Sequence, residues 1–218
     1  VMDTNVNCAG MIVATDNAVK MLKGNKNFKR ALIVGGDVIS KHCSKDDELT
    51  YPQFGDLACA VILEKTEEDS DFLGAHYFTG SDEWDMVKYP ACGNTNTYSC
   101  TDEEKRIKWK QFDGSFSVAK GKISLEKLLK ETNLEISDIS TFCISQYAYG
   151  MKTGFMEVFG VSGDKIPYVG DRFGYTGTSS PFLALHEAIN EGKVKRGDYV
   201  AMWTIGTFWS TGALLLKY

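Results

Sequence analysis

The chain repeats one succession of elements, and that repetition limits its possible folds more than any other feature. In the first unit a helix-patterned stretch follows Cys8 and runs to Gly24. A basic stretch, the apolar run 31–36, the turn Phe54-Gly55-Asp56 and a second apolar run, 58–63, come after it. Near the C-terminus a helix-patterned stretch ends at Gly192, followed by a basic stretch and the apolar run 199–204. Gly206, Gly212 and the run 213–216 complete that unit. Two units with one order of elements predict a duplicated architecture. The uninterrupted apolar runs read as strands buried on both faces, as in the middle of a layered α/β protein.

Local signals fill in the units. Asp16, Lys20 and Lys23 fall at helical spacing in an apolar stretch, predicting a mostly buried helix over 11–22 with one wet stripe. Ser180 is a candidate N-cap, Pro181 suits the first turn and Gly192 suits the end of the second unit's helix. A further helix is expected over 125–132, begun by Ser124, leading into a strand over 141–145. Residues 64–110 read as a surface connection with a strand over 72–78. The halves are therefore expected as 1–108 and 109–218.

Composition narrows the class. Of 218 residues, 43% are apolar and 24% charged, the balance of an ordinary globular domain. No apolar run reaches the length of a membrane span, and no secretory leader is read at the start, so the expectation is a soluble, cytoplasmic protein. A net charge of −5 argues against nucleic acid as a partner. Among six cysteines there is no CxxC pair, and no metal site is expected. Cys92 and Cys100 are expected to stay unbridged in a cytosolic setting, a disulfide being the minor alternative.

Chemistry concentrates at residues 3–10, Asp-Thr-Asn-Val-Asn-Cys-Ala-Gly. Cys8 falls where a short strand is expected to end and the first helix to begin. Free amides and the positive end of the helix dipole there favour a thiolate, the nucleophilic form of the side chain. The same amides would stabilise an oxyanion formed on a thioester carbonyl.

With these residues in place, the chain resembles the ketoacyl-acyl-carrier-protein synthase III branch of the thiolase-like family. Asp3-x-Asn5-x-x-Cys8-Ala9-Gly10 matches its nucleophile motif, and Phe54-Gly55-Asp56-x-Ala58-x-Ala60-Val61 its FGDGAGAV segment. Ser145-Gln146 stands where the family has His-Gln, and Gly174-Tyr175-Thr176 where it has Gly-Asn-Thr. Residues 205–213 match its glycine-rich C-terminal loop. The resemblance implies a layered α-β-α-β-α fold of two similar halves, the first incomplete at its N-terminus by roughly a hundred residues. It implies an acyl-enzyme at Cys8, with the amides of Cys8 and Thr207 as oxyanion hole, although Thr207 replaces a family glycine. Coenzyme A or acyl-carrier-protein thioesters would be substrates, with no permanently bound cofactor. A homodimer is implied, and a separate N-terminal segment is a further candidate partner.

Two departures weaken the parallel with ordinary decarboxylative condensation. The family's His and Asn, which hold the malonyl carbonyl, are Ser145 and Tyr175 here. Hydroxyls donate hydrogen bonds, but neither is an imidazole. Three alternatives therefore stand beside the condensing enzyme: transfer to an oxygen, nitrogen or sulfur acceptor, a non-catalytic partner subunit, and, more weakly, a hydroxymethylglutaryl-type synthase or thiolase relative. Phe208 and Trp209 are read as reshaping the acyl pocket or as plain core aromatics. His186 is expected on the surface, and His42 is a candidate recruited base. Lys20, Lys23, Lys26, Lys29 and Arg30 are read as a solvated flank, with a carrier-protein or coenzyme A phosphate contact as the alternative.

Overall fold

The computed structural model describes residues 1–81 and 84–218, the side chain of Phe208 excepted, so two residues of the expected 64–110 connection lie outside the described residues. Helix α1, Gly10–Gly24, buries Met11, Ile12, Thr15, Val19 and Leu22, the spacing of one helical face. Strands β1, Arg30–Asp37, and β2, Leu57–Glu64, form an antiparallel pair in which Val34 faces Ala60. Strand β3, Asp71–Phe78, follows. The short pair β4, Val87–Lys88, and β5, Lys108–Trp109, comes next, with helix α2, Asp102–Lys105, between its strands. The chain continues through α3, Ser115–Thr132, β6, Ile139–Ile144, α4, Tyr149–Phe159, and α5, Gly170–Phe173. It ends with α6, Ser180–Asn190, β7, Tyr199–Ile205, and β8, Thr211–Lys217.

The second sheet has the order β3-β8-β7-β6, with β6 and β7 parallel and the other neighbours antiparallel. It thus takes one strand from within residues 1–108. Its strands explain their unbroken apolar runs. Ala201, Trp203 and Ile205 of β7 point into a core shared with α3 and α4, while Val200 and Met202 point into a second core shared with α1 and α6. Trp203 is fully buried. The helix pair α1 and α6 lies between the two sheets, so the order of layers is β1–β2, then α1 and α6, then the four-stranded sheet, then α3 and α4.

Several expectations change. The first sheet is apolar on both faces but covered on one: Ile33 packs inward, whereas Leu32, Val34 and Ile62 are 66%, 63% and 69% exposed. No strand precedes Cys8, because no described segment runs alongside residues 1–5 to pair with them. Helix α3 begins at Ser115, and Ser124 lies buried within it instead of capping it. Asp16 leaves the wet stripe: it is 2% exposed and accepts hydrogen bonds from Lys20 Nζ at 2.6 Å and the Tyr77 hydroxyl at 2.8 Å. Burial and that carboxylate raise the Tyr77 hydroxyl far above its ordinary range.

The crossing of α3 and α4 depends on Gly121, where a Cβ would overlap the buried ring of Phe155. Overpacking of this kind costs about 1–3 kcal/mol, more than the roughly 1 kcal/mol gained in helix propensity. Urea denaturation should therefore show Gly121→Ala less stable than the parent by about 1 kcal/mol. Gly150→Ala, where a Cβ meets open space in α4, should be neutral or slightly stabilising. Equal midpoints for the two variants would contradict the close approach at this crossing.

Candidate active site

Cys8 sits one residue before Ala9, the N-cap residue of α1. The turn that delivers it is made by Asn7, in the left-handed region at φ 50, with its amide bonded to Asn5 Oδ1 at 3.0 Å. Asn tolerates that conformation better than other side-chain-bearing residues, which accounts for a polar residue directly before the thiol. Gly206, at the end of β7, lets the C-terminal loop approach: a Cβ there would stand 3.2 Å from the Cys8 amide nitrogen. Thr207 follows in a short turn spanning Thr207–Trp209 and lines the same cavity as Cys8. Among the described turns and loops, neither the Cys8 nor the Thr207 amide donates to a backbone carbonyl.

Ser145 and Tyr175 arrive from the other side. Ser145 follows β6, its amide bonded to the Trp203 carbonyl at 2.8 Å. Tyr175 is held by two backbone hydrogen bonds to the loop before β2: its amide donates to Gln53 O at 2.8 Å, and Gly55 donates to its carbonyl at 3.0 Å. Both side chains are buried, at 1% and 2% exposure. The Tyr175 hydroxyl faces the Cys8 sulfur closely enough to favour its anion, and the Ser145 hydroxyl lies near the Tyr175 oxygen, neither contact closing a well-formed hydrogen bond. The structure thus brings Cys8, Tyr175 and Ser145 into one chain of contacts.

The electrostatics reverse the expectation of a ready thiolate. Burial pushes the Cys8 thiol up to about 11; the Tyr175 hydroxyl facing it opposes this, the nearby Asp37 carboxylate adds to it, and the residue's own amide offsets it. The helix amides that were expected to favour the anion are already engaged. Ala9 and Gly10 donate to Val6 O and Asn7 O at 3.0 Å, and Met11 to Thr178 Oγ1 at 2.8 Å. Desolvation therefore outweighs the helix end. Burial, with Cys8 and Asp37, also holds the Tyr175 hydroxyl well above its usual range, so both groups rest protonated.

Asp37 was not among the sequence candidates. It closes β1, accepts the Thr178 amide at 2.7 Å and presses on Gly177, at φ +61, where a Cβ would overlap its carboxylate. Its place directly after Gly35-Gly36, at the strand end facing the loops, was the available signal. His42 lines the same cavity as Cys8, with its ring 4.2 Å from that of Tyr89. His186 is exposed and pairs with Asn190 at 2.9 Å. Trp209 lines the cavity, whereas the side chain of Phe208 lies outside the described residues.

The basic stretch lies at the far end of α1, a helix about 22 Å long. Three of its members are engaged in ion pairs: Lys20 with Asp16, Lys23 with Asp71 and Arg30 with Glu64. That is the arrangement of a solvated flank. Against expectation, Cys92 and Cys100 are joined by a disulfide. The loop between them folds back on itself through turns in which the Asn96 carbonyl accepts from the Ser99 and Cys100 amides at 2.9 and 3.0 Å.

The cavity measures about 880 Å³, and its walls come from both halves of the chain. Among the described residues no helix is long and apolar enough to cross a membrane.

Comparison with known proteins agrees with this fold. The family model described as 3-oxoacyl-[acyl-carrier-protein (ACP)] synthase III matches residues 2–81, and the model of its C-terminal part matches residues 129–218, together most of the chain. A beta-ketoacyl-[acyl-carrier-protein] synthase III of Aquifex aeolicus is 28% identical over 218 residues, covering 99% of this chain and 66% of the relative. The crystal structure of the 3-oxoacyl-[acyl-carrier-protein] synthase III from A. aeolicus superposes with a TM-score of 0.85 at 26% identity, covering 98% of this chain and 65% of that one. The Thermus thermophilus enzyme superposes with a TM-score of 0.89 at 23% identity, covering 100% and 67%. The chain thus spans just under two thirds of the length of the first of these relatives.

Alkylation tests the state of the thiol. Labelling of Cys8 by iodoacetamide, followed by peptide mass spectrometry, should keep rising between about pH 7 and about pH 10. Tyr175→Phe removes the donor that favours the thiolate and should slow labelling about tenfold at a fixed pH. A plateau reached below about pH 9 would mean that the anion is favoured after all.

Proposed function

Because the chain belongs to the 3-oxoacyl-[acyl-carrier-protein] synthase III family, we propose that it is an acyltransferase that carries its acyl group on Cys8. The observation that supports this most directly is the placement of Cys8 beside Tyr175 at the wall of a cavity of about 880 Å³. The sulfur attacks the carbonyl of a coenzyme A or carrier-protein thioester. A new C–S bond forms as the old one breaks, and the proton lost from Cys8 leaves on the departing thiol. The Tyr175 hydroxyl donates to the sulfur as charge grows on it. The amides of Cys8 and Thr207 receive the carbonyl oxygen as it becomes an oxyanion.

The second half of the reaction follows from the missing imidazole. Ser145 and Tyr175 offer hydroxyl donors only where the family has an imidazole and an amide. Decarboxylation of a malonyl thioester requires enolate stabilisation that the family draws from His and Asn. Transfer to an oxygen, nitrogen or sulfur acceptor needs no carbanion, and once Cys8 is acylated the Tyr175 hydroxyl is free to orient such an acceptor. We place the protein in the cytoplasm as a homodimer, in fatty acid or secondary-metabolite biosynthesis, by its family. The resting neutral thiol favours one second reading, a non-catalytic subunit that supports an active synthase.

Intact mass after incubation with a panel of acyl-coenzyme A thioesters separates these readings. The enzyme reading expects one acyl adduct, absent from Cys8→Ala. Malonyl-coenzyme A should lose carbon dioxide no faster than the uncatalysed control. An adduct that survives in Cys8→Ala, or none from any thioester, would leave the partner-subunit reading; catalysed decarboxylation would restore ordinary condensation.

A further inference from the structure

We propose that the acyl group taken by this site is aromatic, carried as an aryl-carboxyl thioester of the benzoyl class. The proposal rests on the acyl-enzyme reading above and adds its substrate class. Cys8 and Tyr175 line the same cavity and face each other there, so a group bonded to the Cys8 sulfur lies against Tyr175. From Tyr175 an unbroken series of rings runs along the cavity wall. Phe54 follows with its centroid at 5.7 Å, and Trp109 stands 5.6 Å beyond Phe54. Phe112 lies parallel to Trp109 within 9°, and Trp209 meets Phe112 edge-on at 5.2 Å. Tyr147 closes on Tyr175 from another side, T-shaped at 6.1 Å.

These rings differ from the aromatics that fill the core. Trp203, Phe142 and Phe155 are fully buried, whereas Phe54, Trp109, Phe112, Tyr147 and Trp209 are only half-buried and line open space. Separate stretches of the chain converge to build this wall. Trp209 adopts φ 51, a conformation that bulky residues avoid, and its ring is held against Phe112 and Phe116. A flexible alkyl chain meeting such a wall gains buried area alone. A planar ring gains, in addition, offset-stacked or edge-on contacts with neighbouring quadrupoles, each equivalent to about two- to tenfold in affinity. The covalent step is balanced as before. The Cys8 sulfur bonds to the aroyl carbon, the bond to coenzyme A breaks, and coenzyme A leaves as the free thiol carrying the Cys8 proton.

The test is a competition. The protein is mixed with equal concentrations of benzoyl-, acetyl- and octanoyl-coenzyme A, and adducts are followed by intact mass, with Cys8→Ala as control. Benzoylation should be at least about tenfold faster than either competitor, and Trp109→Leu should cut the benzoyl-to-octanoyl ratio several-fold. Faster acetylation or octanoylation in the parent protein overturns the aromatic class and leaves the acyl-enzyme reading standing. Should no thioester give an adduct, the acyl-enzyme reading fails instead. Titration of Cys8→Ala with benzoyl- and octanoyl-coenzyme A by tryptophan fluorescence then decides the substrate class alone. Tighter benzoyl binding supports it, and equal or weaker binding overturns it. The parent protein's ratio stands as a readout even if Trp109→Leu fails to fold.

Discussion

The site depends on one close backbone approach, between Gly55 in the loop before β2 and residues 173–175 in the second half. A Cβ at Gly55 would overlap the Phe173 carbonyl oxygen, and Gly174 takes φ +69 to make the facing turn. Two glycines therefore let two stretches of chain, some 120 residues apart in sequence, exchange hydrogen bonds through Tyr175. Gln53 extends the seam by donating from Nε2 to the Tyr147 carbonyl at 2.7 Å. Tyr175 and Tyr147 owe their positions to this seam, and Phe54 rides on the same loop. If the seam opens, the donor to Cys8 and the start of the aromatic wall are lost together.

Placing a thiol at a helix start does not by itself make it reactive. A helix end stabilises an anion only through amides that are still free and a setting that leaves charge solvated or paired. At Cys8 the first amides of α1 already have acceptors, the sulfur is partly buried, Asp37 adds a negative charge nearby, and Ser145 stands where the family has an imidazole. The Tyr175 donor offsets part of that cost, and it does so without carrying charge.

The two units share an order of elements but not an environment. In the second, β7 and β8 lie between helices on both sides, so each alternate side chain has a core to enter. In the first, β1 and β2 carry the same apolar alternation, yet only the face holding Ile33 meets a helix layer. Sequence pattern reports which side chains are suited to burial; a layer of structure must still be present to bury them. The continuous runs at 31–36 and 58–63 were legible as strands for that reason, while the exposure of Leu32 and Ile62 was not.

The same distinction separates the rest of what could be read in advance. Elements defined by local pattern were visible: α1, α6, the paired strands of each unit and the strand near 72–78. The first turns of α3 were obscured because Gly121 weakens helix propensity, and its reason for being there, the ring of Phe155, lies on another helix. Cys8 was legible through its own motif, and Ser145 and Tyr175 through their positions in segments that the family shares. Asp37 and the cavity rings have no local signature, since each matters only through a neighbour distant in sequence. Asp37 acts on Cys8 because Gly177 lets its carboxylate come close, and Trp109 faces the site because Phe54 and Phe112 flank it. A candidate nucleophile can be named from one stretch of chain. Its ionisation depends on residues assembled from many, which is why the motif at Cys8 drew attention to this thiol and gave no sign of the burial and the Asp37 charge that keep it neutral.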